Sequence, residues 1–126
     1  MDDRSERNLQ GVHPDLVKVI RRAHEMYTTD AETFIVTEGL RTKERQEQLF
    51  KAGHSMTRNS RHLTGHAVDL AIKLHGEITW ATPAYKRLML VVESAARELG
   101  IEIEAGGRWR TFQDYPHFQL PWSKYP

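Results

Sequence analysis

Apolar residues recur along the chain with two spacings, one typical of helices and the other typical of strands. They fall at every third or fourth position over residues 14–27 and 82–99, which predicts two amphipathic helices that each bury one face. Each of these segments has a proline in its first turn, and Gly100 follows the second, as is usual at helix boundaries. A third, shorter helix is predicted after Thr42, ending at about Ala52. Its predicted inward face consists of Gln46, Leu49 and Phe50.

Runs of β-branched and aromatic residues, and stretches in which apolar and polar residues alternate, predict strands. A hairpin-like turn is predicted at Gly76, whereas residues 1–11 lack an apolar period and are predicted to be a loose lead-in. Together these elements predict one α+β domain over residues 1–126, with an antiparallel sheet flanked by helices. The predicted strands are 33–37, 67–72, 101–104 and 117–120.

The composition narrows the function classes. Lys and Arg total 18 and Asp and Glu total 17, interspersed along the chain, so no basic face favours a nucleic-acid partner. The absence of cysteine excludes disulfides, a cysteine nucleophile and a thiolate metal site. Residues 1–7 are charged and lack an apolar core, so we expect no secretory signal, no membrane insertion, and synthesis in the cytoplasm.

The stretch 60–69 is the best candidate for half of a metal site. It is predicted to be a loop that carries His62 and runs into a strand that carries Asp69. Zinc in a catalytic site is held by three protein ligands, which can be imidazoles and carboxylates, with the fourth position open to water. His117, at the start of the last predicted strand, is the candidate third ligand, and Asp114 is a candidate general base.

Arg41 and His66 each have a plainer interpretation beside the functional one. Arg41 follows a strand, and it either pairs on the surface with a glutamate such as Glu38 or holds a substrate carboxylate or oxyanion. The four-residue separation of His62 and His66 would suit two ligands on one helix. Because Gly65 and a β-branched run argue against a helix there, His66 is interpreted as a neighbouring or solvent-facing residue.

For three further residues the sequence does not decide between a structural and a functional role. Ser60 either caps a turn or binds a substrate carboxylate, and Gln48 points either toward the site or toward water. Trp109 either walls the cleft or fills the core. The polar, irregular segment 54–59 is a candidate lid over the cleft.

Two fixed-spacing patterns connect the candidate residues. The pattern Ser-x-His-x-x-Gly-x-Ala-x-Asp is present at Ser60, His62, Gly65, Ala67 and Asp69, and an acidic residue three before a histidine is present at Asp114 and His117. With these patterns the chain resembles the zinc D-Ala-D-Ala metallopeptidase family. Within that family it is most similar to the L-alanyl-D-glutamate endopeptidases that phages use as endolysins. The resemblance also takes in 38–42, Gln48 and 106–109, and so covers most of the chain from about Val12.

The resemblance implies a fold like that of the hedgehog and D,D-peptidase proteins, with a zinc site on one face of the sheet. It implies that Zn²⁺ is held by His62, Asp69 and His117. Asp114 would then be the base that takes a proton from water and returns it to the leaving amine. The resemblance also favours substrate contacts for Arg41, Ser60, Gln48 and Trp109.

The function implied by the resemblance is hydrolysis of the L-alanyl-D-glutamate bond in peptidoglycan stem peptides, which leads to bacterial lysis. The protein is expected to be a monomer that a separate holin-type protein releases from the host cytoplasm to the cell wall. One alternative is a D,D-carboxypeptidase or dipeptidase of the same family. Another is a non-catalytic zinc-containing module that binds the cell wall.

Overall fold

The computed structural model describes residues 1–55 and 57–126, so Met56, inside the candidate lid 54–59, lies outside the described residues. The described part of the chain has the predicted α+β class. Its helices are α1 (Asp3–Asn8), α2 (Pro14–Tyr27), α3 (Lys43–Lys51) and α4 (Thr82–Leu99), with 3-10 helices at Arg61–Thr64 and Gly106–Arg108. Its strands are β1 (Glu32–Glu38), β2 (Ala67–Leu74), β3 (Glu77–Thr79), β4 (Glu104–Ala105) and β5 (His117–Gln119).

Strand β2 is the centre of an antiparallel sheet with the order β1-β2-β5-β4, and β3 pairs with the far end of β2 as the second arm of a hairpin. The register sets Val36 opposite Leu70 and His117 opposite Asp69. Because successive side chains of a strand point to opposite faces, Leu70 and Asp69 lie on different faces of the sheet. One face therefore belongs to the hydrophobic core and the other carries the polar candidates.

Helices α2 and α4 cover the core face. Pro14 and Pro83 both stand in a first helical turn, and Gly100 ends α4 with a φ of 69°, a left-handed conformation that glycine adopts without strain. The predicted stripe of α2 is confirmed, since Leu16, Val19 and Ile20 are fully buried. The sheet contributes Phe34, Val36, Val68, Leu70, Ile72 and Phe118 to the same cluster.

The predicted loose lead-in at residues 1–11 is wrong, because the chain forms helix α1 at Asp3–Asn8. The helix docks on the edge of β1 through polar groups rather than through an apolar stripe. Ser5 Oγ accepts a hydrogen bond from the Val36 amide at 2.9 Å, and Asn8 Nδ2 donates to the Val36 carbonyl at 2.8 Å. This docking covers backbone groups that an edge strand would otherwise expose.

Two other predictions need correction. The alternating segment 101–104 is a strand only from Glu104 onward; Ile101 and Ile103 pack against the core without strand pairing. On α3, Gln46 is buried, whereas Leu49 and Phe50 are only partly covered. Among the described residues, no helix combines the length and apolar character that crossing a bilayer requires.

Candidate metal centre and cleft

Three of the predicted residues meet on the face of the sheet opposite the core. Asp69 on β2 and His117 on β5 are register partners, and His62 comes from the 3-10 helix that precedes β2. One ligand atom from each of the three residues lies within 4.8 Å of the others. The predicted set of metal-binding residues is thus brought together by strand pairing and one tight turn.

The turn that carries His62 has well-defined ends. Ser60 caps it, accepting a hydrogen bond from the His62 amide at 3.2 Å. Gly65 ends it with a φ of 73°, and a Cβ there would lie 2.2 Å from the Gly11 carbonyl oxygen, so both conformation and space require glycine. The turn therefore fixes where the His62 imidazole projects.

The hydrogen bonds of His62 define which nitrogen is free. Its Nδ1 lies 2.8 Å from the Gly39 carbonyl oxygen, which can only accept, so Nδ1 carries the proton. Nε2 then presents a lone pair toward Asp69, whose Oδ1 is 3.3 Å away. This Nε2 is buried and has no hydrogen-bond partner among the described residues. A buried, unpartnered lone pair is what a metal ligand offers before it binds.

The two ring nitrogens of His117 have the opposite roles to those of His62. Its Nε2 lies 2.8 Å from Gln119 Oε1, and the Gln119 amide nitrogen donates to Glu104 at 3.1 Å. Since that donation fixes the amide orientation, the His117 Nε2 carries a proton, and Nδ1, which lies 3.1 Å from Asp69 Oδ1, is the nitrogen available to a metal. Such partners behind a ligating histidine fix its tautomer and orientation.

The electrostatics of Asp69 fit a cation at the centre. Burial by itself would raise the pKa of this carboxyl, but His117 and His62 lower it well below its usual value. Burial would lower the pKa of His117, but the hydrogen bond to Asp69 and its negative charge raise it, so without a metal a proton stabilises this pair. A divalent metal would take the place of that positive charge, and two nitrogens with one oxygen suit a metal of the zinc type.

Asp114 lines the same cleft from the turn before β5. Its amide donates to the Gly106 carbonyl at 3.0 Å, and its carbonyl accepts from the His117 amide at 3.1 Å, so the turn is held at both ends. Burial, and then the negative charge of Asp69, raise the pKa of the Asp114 carboxyl. A carboxyl with a raised pKa is a better proton acceptor than a solvated one.

Arg41 is held in the cleft by three side chains. Its Nε pairs with Glu38 at 2.6 Å, one terminal nitrogen donates to Gln46 at 2.6 Å, and the other lies 3.6 Å from Asp69. The Arg41 side chain is only 7% exposed, so its pair with Glu38 is a buried contact and one of three rather than a surface ion pair. Gln46 in turn donates to Ser55 Oγ at 2.9 Å, which ties Arg41 to the cleft rim.

The cleft has a volume of about 300 Å³ and brings most of the candidates together. Ser60 and Trp109 line it, and the Trp109 ring lies 5.2 Å from that of His117. Gln48 is exposed on α3 and is not among the lining residues, while His66 bonds to Thr64 outside the ligand cluster. Gln48 is thus the one candidate contact that the structure does not bring to the site.

Two glutamines and one glycine of the site were not identified from the sequence as parts of it. Gln119 follows His117 by two residues, so strand alternation would have placed both on one face. Gln46 lies on the predicted inward face of α3, but nothing in the spacing links it to Arg41. Gly39 has no assigned role in the sequence beyond lying in the segment 38–42 of the resemblance, although its carbonyl orients His62.

Comparison with known proteins agrees with the family that the sequence motifs indicate. The family described as phage L-alanyl-D-glutamate peptidase matches residues 1–119. The L-alanyl-D-glutamate peptidase of Escherichia phage T5 is 36% identical over 115 residues, which are 88% of this chain and 82% of that protein. The peptidoglycan L-alanyl-D-glutamate endopeptidase CwlK of Bacillus subtilis is 34% identical over 101 residues, 68% of this chain and 59% of that protein.

A solved structure matches over the whole chain. The crystal structure of Serratia marcescens L-Ala D-Glu endopeptidase ChiX superposes with a TM-score of 0.91 at 48% sequence identity, covering 100% of this chain and 92% of that one. The predicted fold class and family resemblance are therefore both confirmed. On the family match over residues 1–119 and the identity to these relatives, the chain belongs to the phage L-alanyl-D-glutamate peptidase family.

Proposed function

We propose that this peptidase is a zinc-dependent endopeptidase that cleaves the amide bond between L-alanine and D-glutamate in peptidoglycan stem peptides. The observation that carries the proposal is the convergence of two imidazole nitrogens and one carboxylate beside an open cleft that also contains Asp114. The names of its relatives from phage T5 and Serratia marcescens supply the bond. The donor set supplies the class of catalyst.

The ion would be held by Nε2 of His62, the carboxylate of Asp69 and Nδ1 of His117. Bound zinc supplies an activated water molecule and a Lewis acid for the peptide carbonyl. The chain's own contribution is to hold three ligands on rigid elements and to leave one side of the centre facing the cleft. The Gly39 carbonyl and Gln119 would keep both imidazoles in the ligating tautomer.

Asp114 would act as the general base and then as the general acid. Its raised pKa favours taking a proton from the attacking water, and the same proton can then pass to the leaving amine of D-glutamate. Burial next to Asp69 is the cause of that raised pKa, so the position of Asp114 beside the ligands is part of the mechanism. No other described carboxylate lines the cleft apart from Asp69.

Arg41 would support the negative charge that develops on the peptide oxygen, or hold a substrate carboxylate. Its guanidinium is already ordered by Glu38 and Gln46, so little side-chain entropy is lost when substrate binds. Ser60 and Trp109, which line the cleft, would contact the stem peptide. Gln48 is not part of this proposal.

The biological setting remains the predicted one: a monomer that acts on the cell wall after a separate holin-type protein has released it from the host cytoplasm. Relatives that act on peptidoglycan support the target.

Mass spectrometry of the fragments released from Gram-negative peptidoglycan by the purified, zinc-loaded protein tests the proposal. We expect peptides that begin with D-glutamate, with the L-alanine left on the glycan strand. Loss of only a terminal D-alanine would assign the protein to the D,D-carboxypeptidase alternative. An unchanged wall, with zinc still bound, would favour the non-catalytic binding module.

A further inference from the structure

A second cavity opens beside the cleft, and Asp114 lines both. Its volume is about 230 Å³, enough for a single ring rather than an extended chain. Its other described lining residues are Trp80, Thr82, Tyr85, Gln113, Tyr115 and Pro116. A ligand group in this cavity would therefore lie directly next to the proposed catalytic carboxyl.

An exposed aromatic residue forms one wall of the second cavity. Trp80 is 65% exposed, and its ring is nearly parallel to that of Tyr85, with 5.8 Å between centroids and 7° between planes. Tyr85 is fixed from below, because its hydroxyl donates to the Thr79 carbonyl at 2.9 Å and accepts from the Ile72 amide at 3.0 Å. Trp80 is thus an exposed ring on a rigid support, a feature typical of a binding surface rather than of a core.

The charges of the two cavities differ. The cleft contains Arg41 and His54 near the ligands, whereas the described lining of the second cavity has no lysine, arginine or histidine. The D-glutamate side of the scissile bond carries carboxylates, which favour the cleft with Arg41. The L-alanine side leads to a sugar, which offers neutral hydroxyl groups and an apolar face of C–H bonds. That side fits the aromatic, cation-free cavity.

The sugar of the substrate lies close to the scissile bond. In peptidoglycan the nitrogen of L-alanine is acylated by the lactyl group of N-acetylmuramic acid. The path from the scissile carbonyl to the sugar ring therefore spans two residue-like units, about 7 Å when extended. A sugar subsite must accordingly adjoin the cleft, and the second cavity does so, because Asp114 lines both spaces.

We propose that the second cavity is a subsite for the N-acetylmuramoyl sugar, with its pyranose ring stacked on Trp80. The proposal rests on the proposed cleavage of the L-alanyl-D-glutamate bond next to Asp114. The enzyme would then recognise the sugar to which the stem peptide is attached as well as the peptide itself. Free stem peptides would then be poorer substrates than peptides still attached to sugar.

Kinetics with two matched substrates tests this subsite. One is an N-acetylmuramoyl-L-alanyl-D-glutamyl peptide and the other is the same peptide with N-acetyl in place of the sugar-bearing group. We expect the wild-type kcat/KM to be about tenfold higher for the first, and we expect Trp80→Ala to remove most of that preference, since aromatic stacking contributes on this scale. Trp80→Phe, which keeps a ring, should retain part of the preference. Leu90→Ala, which also removes an exposed apolar side chain but lies outside both cavities, should keep all of it.

A binding measurement separates failure of the subsite from failure of the proposed function. In NMR spectra, the indole N–H signal of Trp80 is identified by its absence in Trp80→Phe. It should shift on titration with N-acetylmuramoyl-L-alanine and stay unchanged with N-acetyl-L-alanine. If the wild-type protein hydrolyses neither substrate, the proposed function is wrong, and the titration still decides the sugar site. An unchanged Trp80 signal, or a substrate preference that Trp80→Ala leaves intact, would overturn the subsite.

Discussion

Replacing Gln119 by leucine would isolate what the residue behind a metal ligand contributes to metal affinity. Gln119 is 7% exposed, and its Oε1 lies 2.8 Å from Nε2 of His117. Leucine has a similar size but accepts no hydrogen bond. The His117 proton then has no partner on Nε2 and can move to Nδ1, the nitrogen that must be free for the metal.

The size of the effect can be estimated in two ways. Loss of the partner behind a ligating histidine lowers metal affinity about 10- to 100-fold, which equals about 1.4 to 2.8 kcal/mol. Zinc bound at Nδ1 would force the proton back to Nε2, and leaving that buried donor without a hydrogen bond costs about 1 to 3 kcal/mol. Because the two estimates agree, we expect Gln119→Leu to raise the Kd for zinc about 10- to 100-fold. The metal-free protein should also lose about 1 to 3 kcal/mol in its free energy of unfolding, because the hydrogen bond from Gln119 to the Glu104 carboxylate is removed.

Competition with a chromophoric chelator measures the zinc affinity, and urea unfolding of the metal-free protein measures the stability. Gln48→Leu is the matched control, since it makes the same substitution at an exposed position outside the cleft. Excess zinc should restore the hydrolytic activity of Gln119→Leu. A variant that loses stability but binds zinc as tightly as the wild type would refute the reasoning, and would show that Gln119 only packs.

Three further predictions concern the base, a ligand and a glycine. Asp114→Ala should lower kcat by about 10²- to 10⁴-fold while zinc stays bound, and metal loss measured by atomic absorption would instead make Asp114 a ligand. His62→Ala should lose both zinc and activity, as should wild-type protein after chelation; full activity after exhaustive dialysis against chelator would exclude a metal mechanism. Gly39→Ala should lower the free energy of unfolding by about 1 to 3 kcal/mol and weaken zinc binding, because its Cβ would lie 2.0 Å from the Asn8 carbonyl oxygen. Gly76→Ala is the control for zinc titration: a Cβ there meets open space, and its φ of 82° should cost about 1 to 2 kcal/mol of stability without changing zinc affinity.

The parts of the fold that could be predicted are those whose periodicity reports burial. Helices α2 and α4 each bury a single stripe, strand β1 is a β-branched and aromatic run, and β2 is mostly apolar, so local pattern and tertiary position agree. Helix α1 could not be predicted in this way because Ser5 and Asn8 anchor it through hydrogen bonds to β1. The segment 101–104 alternates because its two isoleucines face the core, and this pattern exists whether or not a strand pairs beside it.

The sequence pattern pointed to the candidate ligands that the structure brings together, but not to the residues that support them. His62, Asp69, Asp114 and His117 carry the fixed spacings of a known family, and the structure brings all four to one cleft. The supporting contacts are made between distant segments, as when the Gly39 carbonyl bonds to the imidazole of His62. Gln48 is the opposite case: the resemblance favours it as a substrate contact, but the structure leaves it exposed and outside the lining of the cleft.

The three ligands are held by different kinds of structure, and this difference determines where the site is sensitive to change. Asp69 and His117 are opposite each other in the sheet, and the neighbouring pair of Leu70 and Pro116 supplies a backbone hydrogen bond that fixes their register. His62 depends on the Gly39 carbonyl, and Gly39 in turn packs against the carbonyl of Asn8 at the end of α1. A change in the N-terminal helix can therefore shift the proposed ligand His62 without touching the cleft. The N-terminal helix, which the sequence pattern does not reveal, in this way supports the candidate metal site.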